Sequence, residues 1–176
     1  MDLSDVEKKD LEDYLVEPEK LAVLQQPEKV MELMQNGQTM QDILGFKDEV
    51  LMEFYEIASD FFDEERYEDA LNAFVFLSSV NSYIPEFWIA MGMTQERLMK
   101  FNEAFQSYSM AAMVSGPEIL AYQMAVECAD KIDTPQRVSE ILDIADHVAN
   151  DAELGTPEFK QDVKALKEYV AQRAKR

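Results

Sequence analysis

Cysteine occurs once among the 176 residues, as Cys128, so no disulfide can close within the chain, and a reducing compartment suits it. Histidine is equally scarce: His147 stands alone, which rules out any two-histidine metal site and reads as a surface or boundary residue. With 5 glycines, 6 prolines and almost no alternating Val/Ile/Thr runs, an all-helical fold needs the fewest exceptions. No apolar run reaches the roughly 18 residues of a membrane span. Residues Met1-Asp2-Leu3-Ser4-Asp5 carry neither a basic flank nor an apolar h-region, so neither membrane insertion nor export by a cleaved signal is expected.

Basic residues are also few. Sixteen face 36 acids, a formal net charge of −20, which disfavours nucleic acid and anionic membrane surfaces as partners. An acidic surface serves solubility, and it would also keep a protein soluble while it holds a sticky, often basic, client. Catalytic chemistry lacks its parts: there is no Gly-rich phosphate loop and no G-x-S-x-G elbow. Asp60, Asp63, Glu64 and Glu65 lack the spacing and glycine of a calcium loop and read as a solvated helix end. Cys128 has no C-x-x-C partner and reads as a small buried hydrophobe. The expectation is a protein that is not an enzyme and needs no cofactor or metal.

What the chain does have is length for one domain with a substantial core, at 47% hydrophobic residues, and a repeat. Ala70, Ala104 and Val138 are each 34 residues apart. In that register the fourth place holds a ring, Phe54, Trp88 and Tyr122. The seventh and eighth hold Ile57-Ala58, Met91-Gly92 and Ala125-Val126, the twenty-fourth Phe74, Tyr108 and Leu142, and the twenty-seventh Leu77, Ala111 and Ala145. Period and pattern are those of tetratricopeptide repeats. Each unit is a helical hairpin whose two helices cannot bury their apolar faces alone, so hairpins must stack.

The domain reading follows: residues 1–36 form an N-terminal helical segment, 37–50 a lead-in, 51–150 three repeats (51–84, 85–118, 119–152), and 156–176 a C-terminal capping helix. Pro18 and Pro27 are placed to open helices, and Gly37 to end one. Thr39 with Asp42 resembles a capping box before a short turn closed by Gly45. Pro85, Pro117 and Pro135 sit at or near helix starts, with Thr134 expected as a cap. Val163, Leu166, Tyr169 and Val170 give the last helix, expected to run to about Ala174, an apolar stripe to cover the end of the stack.

A helix is expected from about Asp48 to Asp63, with Leu51, Phe54, Ile57, Ala58 and Phe61 facing the core. Its other face is apolar too: Met52, Tyr55 and Phe62 fall at the second, fifth and twelfth places, which line the concave groove of such a stack. Either residues 1–36 fold back over this face or it is a peptide groove. The second repeat offers Glu86, Ile89, Met93 and Glu96 at the matching places, and the third Leu120, Gln123, Glu127 and Asp130. The expected occupant is an extended segment with apolar anchors near the first two repeats and a basic or polar residue near the third.

Gly37-Gln38-Thr39-Met40-Gln41-Asp42-Ile43-Leu44-Gly45 followed by Glu49, Leu51, Phe54 and Tyr55 resembles the lead-in of the class II chaperones of type III secretion, the SycD/LcrH group. Tyr67-Glu68-Asp69-Ala70, Phe87-Trp88, Gly92 with Gln95, Tyr108-Ser109, Ala125-Val126-Glu127-Cys128 and Thr156-Pro157-Glu158-Phe159-Lys160 are similar to matching family stretches, over roughly residues 37–165. The resemblance implies a bacterial cytoplasmic chaperone for hydrophobic translocator proteins, whose P-x-L-x-x-P-like segment lies in the groove. It places Tyr55, Phe62 and Tyr67 at the family's aromatic groove positions, although Tyr67 is also a seam residue by its place in the repeat. For residues 1–36 it implies a homodimer contact. The family usually has glycine where Glu65 stands and an L-D-P-like turn where Val80-Asn81-Ser82 stands. Its third repeat is richer in aromatics and histidine around Leu120, Tyr122 and Gln123. The competing reading is a repeat scaffold or regulator that assembles soluble components of the same machinery.

Overall fold

The computed structural model describes residues 15–132 and 134–173. Residues 1–14 of the expected N-terminal segment, and the expected helix end at Ala174, lie outside these. Among the described residues ten helices follow one another and no strand forms. Three short ones come first, α1 (Pro18–Leu24), α2 (Pro27–Gln35) and α3 (Met40–Leu44). Three hairpins follow: α4 (Asp48–Asp63) with α5 (Tyr67–Val80), α6 (Pro85–Arg97) with α7 (Phe101–Ser115), and α8 (Ile119–Lys131) with α9 (Pro135–Asn150). The last is α10 (Pro157–Arg173).

Local chemistry sets most helix starts. Proline occupies the first turn of α1, α2, α6 and α9, where its missing N–H is not needed. The capping box forms: the Thr39 Oγ1 accepts from the Asp42 N–H, and the Asp42 carboxylate accepts from the Thr39 N–H at 2.7 Å. The Thr39 N–H, and then the Thr39 hydroxyl, both donating to the carboxylate, hold the Asp42 carboxyl below its ordinary range. Gly45 closes α3 at φ 76°, a left-handed conformation that costs glycine little. Thr156 caps α10, accepting from the Phe159 N–H at 3.1 Å. Thr134 departs from expectation. Its hydroxyl donates back to the Ala129 carbonyl at 3.2 Å, which satisfies the end of α8 instead of the start of α9.

Each helix packs on its predecessor along the hairpins, and α10 lies against α8 and α9. The core has two parts. Leu51, Ala58, Ala70, Phe74, Leu77, Phe87 and Met91 form the first, and a larger one runs from Ala104 and Tyr108 through Tyr122, Ala125 and Cys128 to Phe159 and Leu166. Trp88 packs against both while its Nε1 donates to the Ser82 carbonyl at 2.8 Å. Small residues let backbones meet: a methyl on Gly92 would stand 2.5 Å from the Tyr108 ring.

Ile57 corrects the expected core face of α4, being 48% exposed. It holds the place of Met91 and Ala125, both buried because a hairpin precedes them. Among the described residues the first hairpin has no such predecessor; Leu51 and Ala58 are buried, and Phe54, Tyr55, Phe61 and Phe62 pack half-buried against the core.

Candidate functional site

The first helices of the three hairpins, α4, α6 and α8, carry the residues expected to line the groove. On α4, Met52 is 50% exposed. Tyr55 is half-buried, its ring stacked on Phe87 at 5.7 Å and tilted against Phe74 at 5.7 Å. Burial first, then the nearby Glu86 carboxylate, pushes its phenol above the ordinary tyrosine range, so it stays neutral and available as a donor. Phe62 is half-buried near the end of α4 and meets Tyr67, which opens α5, edge-on at 5.4 Å. Tyr67 is thus in ring contact with Phe62 across the turn between α4 and α5.

Along α6, Ile89 is half-buried against the larger core part and Met93 is 41% exposed. On α8, Leu120 is 54% exposed and Gln123 is exposed. The structure therefore brings Tyr55, Phe62 and Tyr67 into aromatic contacts at the first hairpin. Met52, Met93, Leu120 and Gln123 stand as separate exposed side chains on three successive first helices. Among the described residues, helices α1 and α2 pack on each other and on α3, and Met52 on α4 is half exposed.

The charges along this face are partly taken. Glu96 binds Lys131 at 2.8 Å and Asp130 binds Arg173 at 3.1 Å, whereas Glu127 is exposed and forms no ion pair among the described residues. Of the acids expected to await a basic client residue near the third hairpin, Glu127 is the one without an ion pair among the described residues.

Arg97 escaped the sequence reading. Its guanidinium lies 5.5 Å from the Phe62 ring centroid and 5.8 Å from that of Tyr67, and Nη1 donates to the Tyr67 hydroxyl at 3.5 Å. The signal available was its place, one residue beyond the groove position of Glu96. The contact itself joins α6 to the preceding hairpin and cannot be read from one helix's periodicity.

Elsewhere the chemistry is quiet. Among the described residues no group of three His, Cys, Asp or Glu could hold a metal ion. Cys128 is buried, its Sγ donating to the Phe101 carbonyl at 3.2 Å, and burial pushes its thiol up to about 12. Among the described residues no helix is long and apolar enough to cross a membrane.

No family model matches the sequence. Solved structures do resemble it. A type III secretion complex from Aeromonas hydrophila is 20% identical, with 83% of this chain and 97% of that one covered and a TM-score of 0.64. The Yersinia enterocolitica chaperone SycD, solved in complex with a peptide of the translocator YopD, is 22% identical over 73% of this chain and 97% of that one, with a TM-score of 0.54. PcrH of Pseudomonas aeruginosa, in complex with the chaperone binding region of PopD, is 20% identical over 74% and 97%, with a TM-score of 0.56. At these identities the likeness shows the fold: the chain has the tetratricopeptide-type helical architecture of these chaperones.

Proposed function

We propose that this protein is a type III secretion chaperone that binds a hydrophobic translocator protein through the face formed by α4, α6 and α8. The observation that carries the reading is a set of aromatic contacts made by half-buried rings at the first hairpin, Tyr55 with Phe74 and Phe87 and, apart from these, Phe62 with Tyr67. It stands beside the exposed Met52, in a fold whose solved relatives hold translocator peptides. Rings already fixed by their neighbours offer pockets whose entropy cost precedes binding, and two or three buried anchors then supply most of the affinity. Met93 and Leu120 extend the apolar path, and Gln123 with Glu127 turns it polar.

The protein then acts by equilibrium capture and not by catalysis. It occupies an extended, P-x-L-x-x-P-like segment of a client whose transmembrane stretches would otherwise aggregate, and it holds that client for export. Capture of this kind belongs in the bacterial cytoplasm, before export. Leu24, Pro27, Val30, Met31 and Met34 line an open apolar hollow on α1 and α2, which supports a homodimer contact for that segment.

The test is affinity capture of the full chain from its native cell under secretion-inducing conditions, with co-eluting proteins identified by mass spectrometry. A secreted protein with transmembrane segments is expected, and a synthetic peptide from its P-x-L-x-x-P-like stretch should bind the purified chaperone. Recovery of soluble, folded components alone would replace this reading with the scaffold one.

A further inference from the structure

Among the described residues no acid neutralises Arg97, the cation beside Phe62 and Tyr67. Around it, Arg66 takes Glu64 and Asp69, Lys100 takes Glu68, and Lys131 takes Glu96. Arg97 itself forms no ion pair among the described residues, in a chain with 36 acids and 16 bases. Its guanidinium instead lies over the Phe62 and Tyr67 rings, and its hydrogen bond is the long one to the Tyr67 hydroxyl. Cation–π contact orients the group without satisfying its five donors.

We propose that Arg97 selects a carboxylate in the captured segment, next to the apolar anchor that fills the Phe62–Tyr67 site. The inference rests on the groove reading and deepens it. An apolar anchor seated against Phe62 and Tyr67 takes water from the guanidinium above them. A desolvated cation without an acceptor is costly, so the occupant that binds best supplies one, and a carboxylate matches the guanidinium fork in two parallel bonds. Along a surface of net charge −20 an acidic client residue is disfavoured on balance. One tolerated carboxylate at one place therefore sets the register of the segment as well as its affinity. Glu127, without an ion pair among the described residues, gives the same segment a basic preference at its other end.

The test uses the full-length protein and fluorescein-labelled synthetic 12-residue peptides with a Pro-Xaa-Leu-Xaa-Xaa-Pro core, each Xaa and each flanking position holding Glu, Gln or Lys in turn against an alanine background. Binding is followed by fluorescence anisotropy. At one position Glu should bind about 3- to 10-fold more tightly than Gln at low salt, and the preference should shrink as salt shortens the Debye length. Arg97→Gln should abolish that Glu preference, so that the Glu and Gln peptides bind the variant equally within about twofold, and Arg97→Glu should transfer the preference to Lys at the same position. A Glu preference absent at every position, or one that survives Arg97→Gln, overturns the role of Arg97. In that case Phe62→Ala still weakens all the peptides if the groove reading holds. Failure of every peptide to bind, with Phe62→Ala making no difference, overturns the groove reading and this inference with it.

Discussion

Glu65 and Met99 stand 34 residues apart and turn the chain in the same left-handed way, at φ 60° and 61°. Each closes the first helix of its hairpin, Glu65 after α4 and Met99 after α6, and the N–H of the following residue returns to a helix carbonyl: Arg66 to Phe61 at 2.9 Å, Lys100 to Gln95 at 2.8 Å. The turn geometry is dictated by the hairpin, and these two residues adopt it against the steric preference of an L side chain. Glycine, usual at the first of these places in the chaperones that the sequence resembles, adopts it freely. Glu65→Gly and Met99→Gly should each stabilise the fold by about 0.5–1 kcal/mol, a rise in melting temperature of roughly 1–4 °C, despite glycine's larger entropy when unfolded. Calorimetry on the two variants decides it, and a fall in melting temperature for both would remove strain from the account.

Gly92 and Tyr108 make a second close pair. The tyrosine ring fills the space a side chain on residue 92 would need, with its buried hydroxyl left without a hydrogen-bond partner among the described residues. Burial first, then the carboxylate of Glu96, pushes that phenol far above its ordinary range. Gly92→Ala must displace the ring or the backbone and should cost about 1–3 kcal/mol. Tyr108→Phe removes an unsatisfied polar atom and keeps the ring, so it should be neutral or stabilising by about 1 kcal/mol. Chemical denaturation of both reports on the pair. A large loss on Tyr108→Phe would reveal a partner for the hydroxyl, and a harmless Gly92→Ala would show that the seam is loose.

Trp88 and Phe62 should separate stability from binding. Trp88 joins the two parts of the core and ties its indole N–H to Ser82, so Trp88→Ala should destabilise by about 3–5 kcal/mol. Phe62 is half-buried at the groove end of α4, so Phe62→Ala should weaken client or peptide binding at least about tenfold with little change in helicity. Circular dichroism melts and anisotropy titrations on the same preparations test both. If Phe62→Ala melts sharply lower and binds unchanged per folded molecule, Phe62 is core and the groove map is wrong.

The stack was legible from the sequence because its causes are local and periodic. The bounds of α4 follow from Asp48 and Asp63, the capping box from Thr39 and Asp42, and the buried smalls from the 34-residue register of Ala70, Ala104 and Val138. Where periodicity misled, an end or a neighbour intervened. Ile57 occupies a core place but belongs to the first hairpin, and no repeat pattern states that its cover is missing. Thr134 has cap chemistry on both sides and bonds backward. Met52, Tyr55 and Phe62 are expected on one face because they fall at fixed offsets on one helix, whereas Tyr67, on the next helix, enters through the resemblance. Arg97 was missed because its meaning lies in Phe62 and Tyr67, 35 and 30 residues earlier, and in the pairing of the acids around it.

Cys128 offers a probe of the whole stack. The thiol lies between α8 and the start of α7, donates to the Phe101 carbonyl, and is pushed up to about 12 by burial and then by the Glu96 carboxylate. Below pH 9 the folded protein therefore holds it as an inert thiol, since the thiolate is the nucleophile. Labelling by a thiol reagent at pH 8 should be at least about a hundredfold slower than in denaturant, with a rate that follows the opening of the second and third hairpins. The sign with pH follows from linkage. The folded pKa is raised, so this group's contribution is fully present below the unfolded value of about 9 and is lost as pH rises toward about 12, where the unfolded chain ionises first. Stability measured by denaturation should thus decline between about pH 9 and 12 by an amount that Cys128→Ala removes, on top of whatever the buried tyrosines contribute. Fast labelling of the native protein at pH 8, or a decline unchanged in Cys128→Ala, would mean that the thiol is not held in the core as the stack requires.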